Sequence, residues 1–346
     1  MKTLFVTLAS FKYGIGHFNR CLSLADKLKN SNINFIIFID QKSKNKILQK
    51  KLKYNILFLK FPSDNLQKKL KKIGSIDQTI FDISNNYFAS SILDKNLFFN
   101  AFMEISKKTI LLDGGYNESL LRKNKELHFD LVISPYVDKY VKVKKDIKKI
   151  NGHKFFILNT NNFLKLGRKR FILKKAENIL ISCGGSDPAN QSLLTLRALN
   201  FINKKLKVKL IIGPYFAKKY INELVSLKLN KNINCKFIKN KSNIFPYAYW
   251  ADLAIISSGL TKYEFLAVGT PCVSISINKP HKLITEIFEK KKTLVSAGIS
   301  PKEKKLSKII EDLLLNYKLR KLISKNGKNL IDGKGLQRVV NHLNVV

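Results

Sequence analysis

The sequence predicts a parallel α/β protein built as two tandem units. Three observations carry this. Short apolar runs bounded by turn residues alternate with helical patterns over most of the chain. The alternation lapses over residues 144–177 and then restarts. Glycine-rich corners stand where several of the runs give way to helices. With 346 residues and 45% hydrophobic content, the chain can supply a core for each unit.

Taken in order, the first half offers strands at "TLFVTL", "INFIIFID", "NILFLKF", "QTIFDIS", "TILLDGG" and "FDLVISP", with helices such as residues 17–29 between them. Residues 144–177 are Lys-rich and irregular, with "LNTNNF" and "LGRKR" reading as a linker. The second half restarts at "NILISCGG" and continues through "KVKLIIG", "INCKFI", "DLAIISSG" and "CVSISI". Residues 301–346 read as amphipathic helix with a break near "NGKNLIDGKG", able to pack back across the junction. The predicted boundaries are 1–150, a linker over 151–176, 177–330, and a terminal helix over 331–346.

The apolar runs are shorter than the roughly 20 residues of a membrane span, and the start lacks a signal-peptide core. The expected location is therefore the cytoplasm. Cys21, Cys183, Cys235 and Cys272 are scattered, which predicts reduced thiols and no metal framework. Net charge is +40, from 64 basic and 24 acidic residues. Only seven of the basic residues are Arg, against 57 Lys, and there is no aromatic-interleaved basic motif of the RNA-binding kind. Specific nucleic-acid binding is not expected. The excess predicts attraction for anionic ligands and weak peripheral contact with an anionic membrane. A monomer is the default expectation.

Three corners carry the chemistry. In "YGIGHFNRCLSLADKL", Gly14 and Gly16 let backbone approach a ligand beyond the first strand, and Arg20 lies one turn past the helix start. His17 stands at that start, where the helix dipole favours a neutral imidazole able to accept a proton. A general base and a surface His near a cap are both open readings. In "ILISCGGSDPANQSLLTLRAL", Gly184, Gly185 and Ser186 end a strand, and Asp187 or Ser186 can cap the next helix. Two successive glycines exceed what capping needs and suit a passing diphosphate. In "DLAIISSGLTKYEFLAVGTPCVSI", Ser257, Ser258 and Gly259 stand at a strand's exit ahead of Thr261, a second site for phosphate oxygens, and Glu264 could accept from two ribose hydroxyls. Thr261 and Glu264 also have the spacing of a capping box, which alone could account for both.

At "GIGHFNR", "ILISCGGSDPANQSLLTL" and "SSGLTKYEFLAVGTPCVSI" the chain resembles the GT-B enzymes that handle UDP-sugars. Within them it resembles the hydrolases of the pseudaminic-acid pathway, which remove UDP from a 2,4-diacetamido-2,4,6-trideoxy-altrose. The resemblance implies a GT-B fold, two Rossmann-like parallel-sheet domains facing a central cleft. It implies a base, His17, and a sugar and diphosphate pocket shaped by Gly14, Gly16, Arg20 and Asp82. It places the nucleotide on Gly184, Gly185, Ser186, Ser258, Gly259, Thr261 and Glu264, in the later half. No metal or cofactor is implied, because amides and helix ends would carry the leaving diphosphate's charge. The chain departs from the family pattern at Val6, Leu8, Asp82-Ile83-Ser84 and Asp113-Gly114 in the first half and near Pro280-His281 in the second, so the nucleotide half keeps the pattern better. UDP-sugar hydrolysis is the first expectation; sugar transfer to an acceptor alcohol and non-catalytic nucleotide-sugar binding are the alternatives.

Overall fold

A computed structural model of the chain describes residues 1–10, 16–28, 32–48, 52–60, 65–83, 85, 95–115, 119–137, 141–158, 170–239 and 243–344. The chain divides into two compact units, Met1–Asn159 with Lys334–Val346, and Thr160–Gly333.

The first unit holds a seven-stranded sheet: β1 Lys2–Ala9, β2 Asn32–Ile39, β3 Asn55–Leu59, β4 Gln78–Asp82, β5 Thr109–Leu112, β6 Leu131–Ser134 and β7 Lys148–Asn151. All neighbours pair in parallel, in the order β3-β2-β1-β4-β5-β6-β7. A parallel strand is covered on both faces, so its residues are apolar nearly throughout. In β1, Leu4, Val6 and Leu8 enter one cluster while Phe5 and Ala9 enter the other. Phe5 pairs with Phe35 of β2, and their rings stack at 5.0 Å.

The second unit repeats the plan with β8 Asn178–Ser182, β9 Leu206–Ile212, β10 Ile233–Lys239, β11 Leu253–Ser257, β12 Cys272–Ser276 and β13 Val295–Ile299. Their order is β10-β9-β8-β11-β12-β13, again parallel. Both units therefore reverse strand order beside their first strand, at β1/β4 and at β8/β11. In open α/β sheets that reversal leaves a crevice beyond the carboxyl ends of the strands.

Two strands escape the sequence reading. β7 lies inside the stretch expected to be irregular, and β13 is absent from the predicted runs. Both are sheet edges, where one neighbour is missing and less apolar surface needs covering. β7 (KKIN) buries only Ile150, and β13 carries Gly298 at φ +78° beside a register shift in β12.

The C-terminal region forms three helices, Glu303–Leu315, Tyr317–Leu330 and Gly335–Asn344. The break expected near "NGKNLIDGKG" falls at 331–334, inside that stretch. "NGKN" itself stays helical: a Cβ at Gly327 would stand 3.1–3.3 Å from Leu266, so glycine here serves close helix packing. A further break comes at Asn316, whose side chain accepts from Leu319 N at 2.9 Å. The last helix returns to the first unit, where Leu336, Val339, Val340 and Leu343 join Phe18, Phe155 and Ile157 in one core. No described helix is long and apolar enough to cross a membrane. All four cysteines are free thiols, three of them buried.

Candidate functional site

His17 and Arg20 stand on the helix Gly16–Ala25, which follows β1. Asp82 ends β4, paired with Thr7 of β1. The strand reversal thus brings three polar side chains together at the carboxyl ends of β1 and β4. His17 Nδ1 is 2.6 Å from Asp82 Oδ1. Arg20 grips the same carboxylate with two hydrogen bonds, Nε to Oδ2 at 2.8 Å and Nη2 to Oδ1 at 2.6 Å. Arg20 Nη1 donates to Tyr136 Oη, beyond β6, at 2.7 Å. The Asp82 side chain is fully buried, while His17 keeps 20% exposure.

Burial pushes the Asp82 carboxyl upward, but the Arg20 guanidinium and then His17 outweigh it and hold it down at about 2. An ionised carboxylate can only accept, so His17 Nδ1 must carry the proton between them. That leaves Nε2 as the basic nitrogen, and it has no partner among the described residues. The arrangement can take a proton from a bound hydroxyl or water.

Of the residues implied in the first corner, Gly14 lies outside the described residues, as does Ser84. Gly16 is exposed, with open space where a Cβ would stand. Asp82 and Arg20 do not present themselves to a ligand as the resemblance implies. Both carboxylate oxygens and three guanidinium nitrogens are occupied by each other, His17 and Tyr136. Asp113, another departure from the family pattern, accepts from Gly114 N, Ser119 Oγ and Leu120 N, and so fastens the short helix Leu120–Lys123.

In the second unit, the two predicted corners follow β8 and β11, the strands that flank the reversal. Gly184 has φ +85°, a backbone shape that favours glycine. Cβ atoms at Gly184 and Gly259 would stand 3.6 and 3.8 Å from Ser257 Oγ, so one buried hydroxyl lies between the two corners. The helix Gln191–Leu199 starts later than the sequence suggests, with Asn190 at the cap position and Pro188 ahead of it. Asp187 still serves its first N–H groups, accepting from Gln191 N and Ser192 N at 2.8 Å each and from Tyr220 Oη at 2.7 Å. With that duty on Asp187, Gly185 stays exposed and Ser186 half-buried.

Two readings of the third corner change. Ser258 is fully buried and its hydroxyl accepts from Ile277 N at 3.3 Å, so the side chain does not face a ligand. The Thr261–Glu264 capping box does not form. Thr261 is already the first residue of the helix Thr261–Val268, Leu260 occupies the cap, and no side chain bonds there. The half-buried Glu264 is left with no hydrogen-bond or ion-pair partner among the described residues, and burial pushes its carboxyl up to about 7. Gly259 and Thr261 remain half-exposed beside it.

Sequence reasoning missed two contributors. Tyr136 follows "VISP" with no local signal. Gly213 packs against the glycine corner so tightly that a Cβ would fall 2.3 Å from Gly185 O and 2.5 Å from Gly184 O. The strand-ending "IIGP" was the available hint of a turn there.

No protein-family model matches the chain. An uncharacterized protein of Methanocaldococcus jannaschii is 31% identical over 305 residues, covering 84% of this chain and 59% of that protein. The spore coat polysaccharide biosynthesis protein SpsG of Bacillus subtilis is 27% identical over 175 residues, 50% of this chain and 51% of that one. The chain thus spans between half and three-fifths of the curated relatives it matches. Among solved structures, MurG of Acinetobacter baumannii superposes with a TM-score of 0.68 at 14% identity, over 100% of both chains. HepE of Anabaena in complex with UDP-glucose superposes at 0.59 and 14% identity, over 99% of both. The fold is GT-B, with two Rossmann-like parallel-sheet units.

Proposed function

We propose that the protein processes a UDP-sugar, releasing UDP as the sugar passes to water, with His17 as general base. The observation that carries this reading is the His17–Asp82 contact of 2.6 Å at the strand reversal of the first unit, with Nε2 unpartnered among the described residues. Water replaces the UDP, its proton passes to Nε2, and the imidazolium is stabilised by the ionised Asp82.

The second unit holds the nucleotide in this reading. Gly184, Gly185, Gly259 and Thr261 give the diphosphate close backbone approach at the reversal of the second sheet. Glu264 supplies a carboxylate for the ribose hydroxyls. The likeness to a polysaccharide biosynthesis protein and the UDP-glucose complex of a fold neighbour support a sugar nucleotide as the substrate class. The pseudaminic-pathway sugar is proposed from the sequence motifs, and the cytoplasm, a monomeric state and the absence of specific nucleic-acid binding are proposed with it.

Incubation with a panel of UDP-sugars, read by mass, tests the reaction. Free sugar with stoichiometric UDP is the expected product, and UDP formed only in the presence of an acceptor alcohol would convert the reading to transfer. His17→Ala should lower turnover about 100-fold or more while UDP affinity stays within about threefold. Persistent turnover would remove His17 from the role.

A further inference from the structure

Three nitrogens of the Arg20 guanidinium are committed inside the first unit. Nε and Nη2 take the two oxygens of Asp82 at 2.8 and 2.6 Å, and Nη1 takes Tyr136 Oη at 2.7 Å. All three residues are buried: Arg20 is 8% exposed, Asp82 0% and Tyr136 9%. The Nε/Nη2 fork of the guanidinium is thereby spent on Asp82, and only one N–H on each Nη is left over. The same Asp82 oxygen that takes Nη2 also takes His17 Nδ1, and Nη2 itself lies 2.9 Å from Nδ1.

We infer that Arg20, steadied by Tyr136, is a positioning residue that keeps Asp82 a permanent acceptor and thereby fixes His17 in the tautomer whose Nε2 is basic. This deepens the reading of His17 as base and rests on it. A carboxyl buried with imidazole alone has two ways to make that contact. Ionised, it accepts from Nδ1–H; protonated, it donates to Nδ1 and pushes the proton to Nε2, where it blocks base action. Arg20 removes the second way, since its two N–H groups need acceptors on both oxygens.

The surroundings leave Arg20 that task. Among the described residues, the titratable groups facing Asp82 are His17, Arg20 and Cys21, whose Sγ is 3.9 Å from Oδ2, with Tyr136 beyond the guanidinium. From β1, Thr7 donates only to the Asp82 backbone oxygen, at 3.2 Å. Burial drives this carboxyl up, and Arg20 is the largest influence opposing it. Without Arg20, only His17 would oppose that burial, and the Asp82 carboxyl would move upward.

The test compares Arg20→Gln, Arg20→Lys and Tyr136→Phe in the full chain, by UDP release from a UDP-sugar across pH and by 15N spectra of the histidine rings. For Arg20→Gln, kcat should fall about 100-fold with KM within about threefold. Activity should then depend on an added ionisation, and the His17 signals should leave the Nδ1–H pattern. Arg20→Lys should restore part of the loss, because an ammonium supplies charge without the fork, and Tyr136→Phe should move kcat and spectrum the same way by a smaller amount. A raised KM with kcat, pH profile and His17 tautomer unchanged would make Arg20 a ligand contact and overturn the inference. If Arg20→Gln fails to fold, an unaltered spectrum and kcat in Tyr136→Phe overturns it. Turnover surviving His17→Ala would refute the base assignment instead, and the ring spectra would still read the lock.

Discussion

Glu264 shows how a single side chain can be held ready for a ligand. Its carboxyl is half-buried without a partner and sits at about 7, so near neutrality it is divided between two protonation states. The ionised form is the one able to accept from two hydroxyls. Affinity for a UDP-sugar, whose diphosphate does not titrate near neutrality, should therefore rise as pH climbs through about 7. Glu264→Gln should weaken binding and flatten that dependence, measured by calorimetry at several pH values. Stability moves oppositely. A carboxyl raised on folding binds protons more tightly folded than unfolded, so the unliganded protein should lose stability as pH rises from about 4.5 to 7, and Glu264→Gln should blunt that loss. Asp82 has the reverse sign. Depressed to about 2 from 3.8, it contributes stability above the unfolded value that is lost as pH falls through that window.

At the scale of elements, the glycine corner after β8 depends on a loop it does not belong to. Tyr215 N donates to Gly185 O at 2.8 Å, and Gly213 allows the two loops to touch. A methyl group at Gly213 would collide with two backbone carbonyls that no rotamer change can move. Gly213→Ala should cost about 2 kcal/mol or more in stability and weaken UDP binding, whereas Gly16→Ala meets open space and should leave stability nearly unchanged. Thermal unfolding and UDP titration on the two variants separate these outcomes. The second unit also fastens its entering chain by arginine. Arg320, fully buried, donates to Leu313 O, Leu173 O and Lys174 O, and Arg170 donates to the carbonyls of Ala248, Tyr249 and Ala251.

At the scale of the molecule, the last helix and the overall charge are the features to test. Gly335 starts the helix where a Cβ would stand 2.2 Å from Phe156 O, and four apolar residues of that helix enter the first unit's core. Each such side chain stabilises by roughly 1.5–3 kcal/mol. Ending the chain at Gly333 should therefore destabilise the first unit, seen as loss of its thermal transition while that of the second unit persists. The net charge of +40 acts on association. The protein should co-sediment with vesicles containing an anionic lipid at low salt and be released near 1 M salt, where the Debye length is about 3 Å. Salt-insensitive retention would show that charge is not the cause.

The sequence by itself determined the parallel α/β class and eleven of the thirteen described strands, because buried parallel strands must be apolar along their whole length. It also located the three glycine corners and His17, since close backbone approach and proton transfer demand particular residue types. Tertiary structure alone decided what those residues do. Asp82 and Tyr136 are 62 and 116 positions from Arg20 and reach it only because β1 and β4 are neighbours at the reversal, with β6 two strands further on. Thr261 and Glu264 have the spacing of a cap, yet the helix begins one residue earlier than a cap requires and frees the carboxylate. Edge strands β7 and β13 stayed hidden for the complementary reason that an edge needs little apolar cover. Local pattern records what a residue must bury, whereas strand order decides which distant residues meet.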